Sequence, residues 1–235
     1  MSFHIIHLDN VPIFEQLLLE ERLLREDSRN FIVLNTGSPA AIVMGISGKL
    51  DELVHKENTL KKNCPVIKRF SGGGTVFIDQ DTLFLSFIGN KSLFNFPAYP
   101  ERILKWSEGF YQGALALPDF SLRENDFVIG PKKCGGNAQY ITKDRFLQHT
   151  SFLWDFNPSN MECLLHPKKT PEYRQGRNHL DFLCCLKEHL LSKEEFFNKI
   201  HAHAKKNYET TILSDLKNNK IQTSRSSTTY IQLEP

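Results

Sequence analysis

Between Pro12 and Glu26 the apolar residues Ile13, Phe14, Leu17, Leu18 and Leu24 recur at helical spacing, with Glu15, Glu20, Glu21 and Arg22 largely between them. That period predicts an amphipathic first helix with its acidic residues on the wet side. Two short apolar runs follow, Phe31 to Leu34 and Ala40 to Met44, separated by Thr36-Gly37-Ser38-Pro39. Gly and Pro supply turn geometry, and the two runs read as a strand pair. Val66-Ile67, Thr75 to Phe77 and Leu83 to Ile88 have β-type composition around Ser71-Gly72-Gly73-Gly74, which sets the glycines inside a sheet region. Ile103, Trp106, Phe110, Ala114 and Leu117 then fall three or four apart between Pro100 and Pro118, a buried helix face stopped by proline. Phe127 to Ile129, Ala138 to Ile141 and Phe146 to Phe156 look like strands around turns at Gly130-Pro131 and Lys143-Asp144. Ser192 with Glu195 forms a capping box for a helix whose apolar side is Phe196, Phe197, Ile200 and Ala204. After about Tyr208 the pattern fades, and Lys217 to Thr229 reads as a frayed polar arm. Strands and helices are interspersed without regular βαβ alternation, so the expected fold is a mixed-sheet α/β (α+β) domain rather than a Rossmann fold.

A chain of 235 residues, 40% hydrophobic and 24% charged, can bury a substantial core. Its formal net charge of +2 gives no general drive toward nucleic acid or an anionic membrane. No basic-then-apolar leader opens the chain, and no run reaches the roughly 18 apolar residues of a membrane span. Cys64, Cys134, Cys163, Cys184 and Cys185 are an odd number without C-x-x-C spacing, which fits reduced thiols and a cytoplasmic location. His201 and His203, two apart on a helix, point to different faces and make no joint metal site.

Arg69-Phe70-Ser71-Gly72-Gly73-Gly74-Thr75-Val76-Phe77 is the most informative segment. Three glycines without Cβ atoms let backbone N–H groups line a nest for an anion, and Arg69 adds a positive charge. The plain alternative is a flexible hairpin turn. Neither of the common glycine-rich nucleotide motifs fits. Further on, Asn125-Asp126-Phe127 and Lys132-Lys133-Cys134-Gly135-Gly136-Asn137-Ala138 put a lysine beside a glycine pair, with Asn125 and Asp126 candidates for Mg²⁺ or polar nucleotide atoms. Taken singly, Lys-Lys is ordinary solvated surface and Asn-Asp an ordinary turn.

Together the two segments resemble the lipoate-protein ligase A family, within the group that also holds biotin-protein ligases and octanoyltransferases. The family signature Arg-x-Ser-Gly-Gly-Gly-x-Val-(Phe/Tyr)-His-Asp is matched by Arg69, Ser71, Gly72, Gly73, Gly74, Val76, Phe77 and Asp79, with Thr75 inside it. Asn125, Asp126 and Phe127, then Lys133, Gly136, Asn137 and Ala138, match the two elements that follow, and the likeness continues through Arg145 to His149. One position departs: the family histidine before the aspartate is Ile78 here. The resemblance implies a biotin-ligase-like catalytic domain over residues 1–209, with 210–235 a short polar tail and no accessory domain.

The activity implied is that of an ATP-dependent lipoate-protein ligase, which makes lipoyl- or octanoyl-AMP with Mg²⁺ and transfers the acyl group to a lysine. Lys133 would be the catalytic residue; Arg69, Ser71 to Phe77, Asn125, Asp126, Gly136, Asn137, Ala138 and His149 would bind substrate and ATP, and Asp126 would place Mg²⁺. Implied partners are lipoyl-domain proteins, namely 2-oxoacid dehydrogenase E2 subunits and the glycine-cleavage H protein, with a separate accessory protein as a further possibility and a monomeric enzyme expected. Loss of the family histidine at Ile78, together with the missing accessory domain, implies that adenylation is the weaker half-reaction. Three alternatives stand beside this: a cysteine-dependent octanoyl- or lipoyltransferase, a transferase using preformed lipoyl-AMP, and a non-catalytic lipoyl-domain binder. In the cysteine families the nucleophile falls near Pro118 or Lys168 here, with Cys163 close to the latter and Cys134 beside Lys133. Pro171 to Arg177 reads as an exposed charged loop whose arginines could reach an acceptor or the adenylate.

Overall fold

The computed structural model describes residues 1–166, 170–213 and 226–233. In chain order the elements begin with β1 (Ser2–Leu8), α1 (Ile13–Glu26), β2 (Phe31–Asn35), β3 (Ala41–Met44), α2 (Leu50–Leu53) and α3 (Lys56–Lys61). Next come β4 (Val66–Lys68), β5 (Gly72–Gly73), β6 (Val76–Ile78), β7 (Thr82–Asn90), α4 (Pro100–Leu115), β8 (Phe120–Arg123) and β9 (Asp126–Ile129). They close with β10 (Lys132–Ile141), β11 (Arg145–Leu153), α5 (Pro158–Met161), α6 (His179–Phe182), α7 (Lys193–Asn207), β12 (Glu209–Leu213) and β13 (Thr229–Ile231). The expected mixed α/β fold is the one found.

The larger sheet has the order β12-β1-β2-β7-β11-β10-β9-β8, with β5 paired to β10, and the smaller has β13-β4-β3-β6. β12, β1 and β2 run parallel, and from β2 through β7 and β11 to β10 the neighbours are antiparallel. On one face α4 and α7 cover a core rich in aromatics, where Phe87, Phe110, Tyr111, Phe127, Phe152 and Phe196 meet. On the other face α1 packs Leu19, Leu23 and Leu24 against Phe31, Val33, Ile88 and Leu147. Cover on both faces explains why Phe31 to Leu34 and Leu83 to Ile88 are continuous apolar runs rather than alternating ones.

Three expectations need correction. The runs at 31–34 and 40–44 are strands, but they do not pair: β2 lies between β1 and β7, whereas β3 lies between β4 and β6. The turn between them carries Ser38, whose Oγ accepts from Ile13 N at 2.9 Å and whose N–H donates to Asp79 O, so the chain is drawn across to the second sheet. Glu20 and Glu21 are not on a wet face; both are fully buried. The stretch after Tyr208 is not featureless, since β12 adds a parallel edge strand to β1. An edge strand buries little, so Glu209–Leu213 shows no strong alternation. Of the arm read at Lys217 to Thr229, residues 217–225 lie outside the described residues. Ser226 to Thr228 wrap the Glu21 carboxylate, with Ser227 N donating to it at 3.0 Å and Ser226 Oγ at 3.2 Å, before β13 joins β4.

Candidate active site

A cleft of about 1040 Å³ opens between the two sheets. Its apolar wall comes from α1 (Ile13, Leu17), β3 (Val43), β6 (Val76, Ile78) and β7 (Phe84). Every candidate residue from the sequence lines it except Ser71: Arg69, Gly72, Gly73, Gly74, Thr75, Val76, Phe77, Asn125, Asp126, Lys133, Gly136, Asn137, Ala138 and His149. Ser71 is fully buried behind the loop, its carbonyl accepting from Ile46 N. β10 brings the motifs together because Ala138 faces Gly73, Gln139 faces Gly72, and Gly136 faces Asp126.

Arg69 does not present a free charge to the cleft as the sequence reading had it. Its Nη2 donates to Gly72 O at 3.1 Å and to Gly74 O at 2.9 Å, and Nη1 to Val43 O at 3.4 Å. Burial, only partly offset by Glu20, pushes its guanidinium down to about 10. The arginine clasps the loop by its carbonyls, which turns the loop's shape into a fixed one. Arg69 Nε, Ser71 Oγ and Thr75 Oγ1 are buried without hydrogen-bond partners. Three such atoms in seven residues mark a place built for polar company, because an unpaired buried polar group is costly.

Across the cleft, Lys133 Nζ sits 2.8 Å from Asp126 Oδ1. The register shift between Lys133 and Gly135 sends Cys134 into the core and leaves Lys133 facing the cleft. Cys184 N donates to the Lys133 carbonyl at 2.9 Å, fixing the lysine's backbone from the other side. A Cβ on Gly136 would lie 3.4 Å from Lys133 Nζ, so glycine there gives the ammonium its room. Asn137 braces this corner: its Nδ2 donates to Asn125 O at 2.9 Å, and its Oδ1 accepts from Thr150 Oγ1 at 2.7 Å and Gln148 Nε2 at 2.8 Å.

The Asp126 carboxylate as it stands does not fit a divalent ion. Oδ1 pairs with Lys133, Oδ2 accepts from Tyr173 Oη at 2.9 Å, and no metal-binding group of three or more His, Cys, Asp or Glu exists among the described residues. Mg²⁺ characteristically binds through phosphates with one or two carboxylates, and both oxygens of this carboxylate are already engaged.

His149 stands beside a partner that sequence reading placed on the solvent side. Its Nδ1 lies 3.0 Å from both oxygens of Glu20, leaving Nε2 as the nitrogen available to the cleft. Ser86, which faces His149 across β7 and β11, donates to Glu20 Oε1 at 2.6 Å, and Gln16 Nε2 donates to the same oxygen at 2.7 Å. Burial alone would raise the Glu20 carboxyl, but His149, Ser86 and Gln16 outweigh it and hold it below its ordinary value. A group so depressed stabilises the fold fully above its unfolded pKa, and that contribution is lost as pH falls through the folded value. Glu20→Ala should therefore cost about 3–5 kcal/mol near neutrality, the range for breaking a buried pair. In urea titrations the gap to wild type should shrink on acidification; a gap independent of pH would rule out an ionised Glu20. The signal in the sequence was its phase, since Leu17, Glu20, Glu21 and Leu24 are three or four apart.

The segment from Pro171 to Arg177 is exposed only in part: Glu172, Gln175 and Gly176 face solvent, whereas its arginines turn inward. Arg174 is buried, and it and Arg177 lie over the Phe182 ring at 4.9 and 5.4 Å. Pro171, Arg174 and Phe182 line the cleft. Cys134 and Cys163 are poor nucleophiles: neither has exposed surface, and burial pushes both thiols up. Lys168 lies outside the described residues. Cys134→Ala and Cys163→Ala should leave acyl transfer within about threefold of wild type, as expected when no thioester forms. An acyl group trapped on either sulfur by mass spectrometry would overturn that. His201 contacts His7 while His203 packs against Phe110, so the two do diverge.

The pattern of the lipoyl protein ligase A/B catalytic domain matches residues 12–205. The chain belongs to this family. It is 30% identical over 264 residues to an inactive lipoate–protein ligase 2 of Plasmodium falciparum, covering 86% of this chain and 69% of that one. It is also 26% identical over 172 residues to a lipoate-protein ligase of Bacillus subtilis, covering 70% of this chain and 50% of the relative, so it spans about half of that protein's length. Among solved structures, a lipoate-protein ligase A bound with ATP superposes with a TM-score of 0.75 at 15% identity, over 92% of this chain and 90% of that one. A bi-partite lipoate protein ligase from Thermoplasma acidophilum gives 0.74 at 17% identity, over 92% and 88%. At those identities the likeness carries the fold. No helix among the described residues is long and apolar enough to cross a membrane.

Proposed function

We propose that this lipoate-protein ligase family member activates lipoate or octanoate with ATP and passes the acyl group to a lysine of a lipoyl domain. One observation carries the proposal: the Lys133 ammonium and the clasped glycine loop line the same cleft as a long apolar wall. That arrangement suits a substrate with an alkyl tail and an anionic head. In the first step the carboxylate oxygen attacks the α-phosphorus and pyrophosphate leaves. Lys133 would reduce the repulsion between the two anions, and the backbone N–H groups of Gly73 and Gly74 would face the phosphates. In the second, the acceptor amine attacks the acyl carbon, gives up a proton, and AMP departs; Lys133 would stabilise the oxyanion. No protein nucleophile is needed.

The acceptor chemistry is supported by the Thermoplasma protein of similar fold, which is described as forming an archaeal lipoylation system with its E2 lipoyl domain. ATP use is supported by the ATP-bound relative. A second reading is favoured by Ile78, which is 1% exposed and puts a hydrocarbon in the cleft wall, and by the relative described as inactive. On that reading the chain transfers from preformed lipoyl-AMP but makes little of its own. The decisive experiment is mass spectrometry of a lipoyl domain incubated with the protein and either lipoate plus Mg-ATP or preformed lipoyl-AMP. Modification in both arms supports the full ligase, and modification only from lipoyl-AMP the transferase. Modification in neither, with a supplementary accessory protein also without effect, leaves a binder.

A further inference from the structure

The Tyr173 phenol points at the same carboxylate that holds Lys133. Its Oη donates to Asp126 Oδ2 at 2.9 Å, while Oδ1 is 2.8 Å from Lys133 Nζ. The tyrosine's direction is fixed by its surroundings. Its N–H donates to Glu124 Oε1 at 3.3 Å, its carbonyl accepts from Arg177 Nη2 at 2.7 Å, and its ring lies 5.2 Å from Phe182. Burial and the neighbouring Asp126 push the phenol well above its ordinary range, so it remains a donor at any working pH.

An ammonium that serves an anionic substrate has to loosen its hold on Asp126. The Asp126 side chain is only 10% exposed, and a buried carboxylate stripped of its partner is strongly disfavoured. A phenol already bonded to the second oxygen keeps that carboxylate accompanied while the lysine turns to the substrate. We propose that Tyr173 is a positioning residue for Lys133, holding Asp126 so that the lysine can exchange its ion pair for the substrate's anionic head. The inference rests on the ligase reading given above. It also links the 171–182 segment to the reacting centre through one hydrogen bond, because Tyr173 belongs to that segment and Asp126 to β9.

Tyr173→Phe removes one oxygen and keeps the ring on Phe182, so the fold should survive, which circular dichroism checks. Single-turnover acylation of a lipoyl domain is expected to fall about tenfold or more, the scale of a hydrogen bond to a charged group. The KM for lipoate should stay within about twofold, because the acyl tail meets the apolar wall instead. A second readout does not need ligation. Trace labelling of Lys133 with acetic anhydride, read by peptide mass spectrometry, should slow about threefold in Tyr173→Phe, since a carboxylate deprived of the phenol grips the ammonium harder. That slowing should vanish in an Asp126→Asn background, where a general loosening of the fold would persist. If wild type acylates nothing, the ligase reading fails, and the labelling contrast still decides the Tyr173 linkage. Unchanged labelling together with turnover within twofold of wild type overturns the proposal.

Discussion

Lys133→Ala is expected to lower acyl transfer at least about a hundredfold, the loss typical of removing a preorganised donor from a developing charge. The ammonium is the cation that β10 presents to the cleft with its surroundings cleared for it: Gly136 leaves it space, Asp126 orients it, and its backbone is tied by Cys184. The side chain is 23% exposed, so its loss costs little packing and the fold should persist. Lys133→Arg should not rescue, since a planar guanidinium is larger than the pocket beside Gly136 and places its charge elsewhere. Lys132→Ala is the control, being exposed on the other side of the strand. The measurement is the single-turnover rate from preformed lipoyl-AMP, which isolates the second step. A Lys133→Ala rate within about threefold of wild type would remove the lysine from the mechanism and with it the central assignment.

How much of this site could be read from the chain depends on whether its logic is local. The segments 69–77 and 125–138 were legible because a glycine loop and a strand corner work through contiguous backbone, and contiguous backbone leaves a spaced motif. Even there the chemistry of Arg69 was misread: the sequence offers a charge, whereas the folded chain spends its N–H groups on Val43, Gly72 and Gly74 carbonyls. Glu20 acts on His149, 129 positions away, and Tyr173 on Asp126, 47 positions away, and no local pattern announces such pairings. The same distinction holds for the fold. Helices with a clear stripe, such as Ile13–Glu26, were found to within a residue or two, and the N-cap at Ser192 is real, with its Oγ accepting from Glu195 N at 3.0 Å, although the Glu195 carboxylate accepts from Leu191 N and not from Ser192 N as a capping box would have it. β1 escaped notice because His4 and His7 interrupt Phe3, Ile5 and Ile6, and its strand character comes from pairing with β2 and β12, 27 or more residues away along the chain.

Gly73→Val is expected to abolish acyl-adenylate formation and to lower thermal stability, and comparison with Gly74 separates the two causes. Gly73 has φ of +121°, a conformation that costs a side-chain-bearing residue about 1–3 kcal/mol. A Cβ there would lie 2.6 Å from Arg69 Nη2 and 2.7 Å from the Asn137 carbonyl oxygen, so the valine has to push the clasp off the loop or part β5 from β10. Either movement unfastens Gly72 and Gly74 from Arg69 and strands a buried guanidinium. Gly74 is the opposite case, since a Cβ there meets nothing within 4 Å and points into open space. Gly74→Val should therefore leave the melting temperature near that of wild type while still obstructing a phosphate that approaches the backbone. Pyrophosphate release with lipoate and Mg-ATP reports the chemistry, and calorimetry reports the fold. If Gly74→Val proves stable and fully active, the loop's backbone does not face the nucleotide, and the glycines serve only the turn and its packing against Arg69.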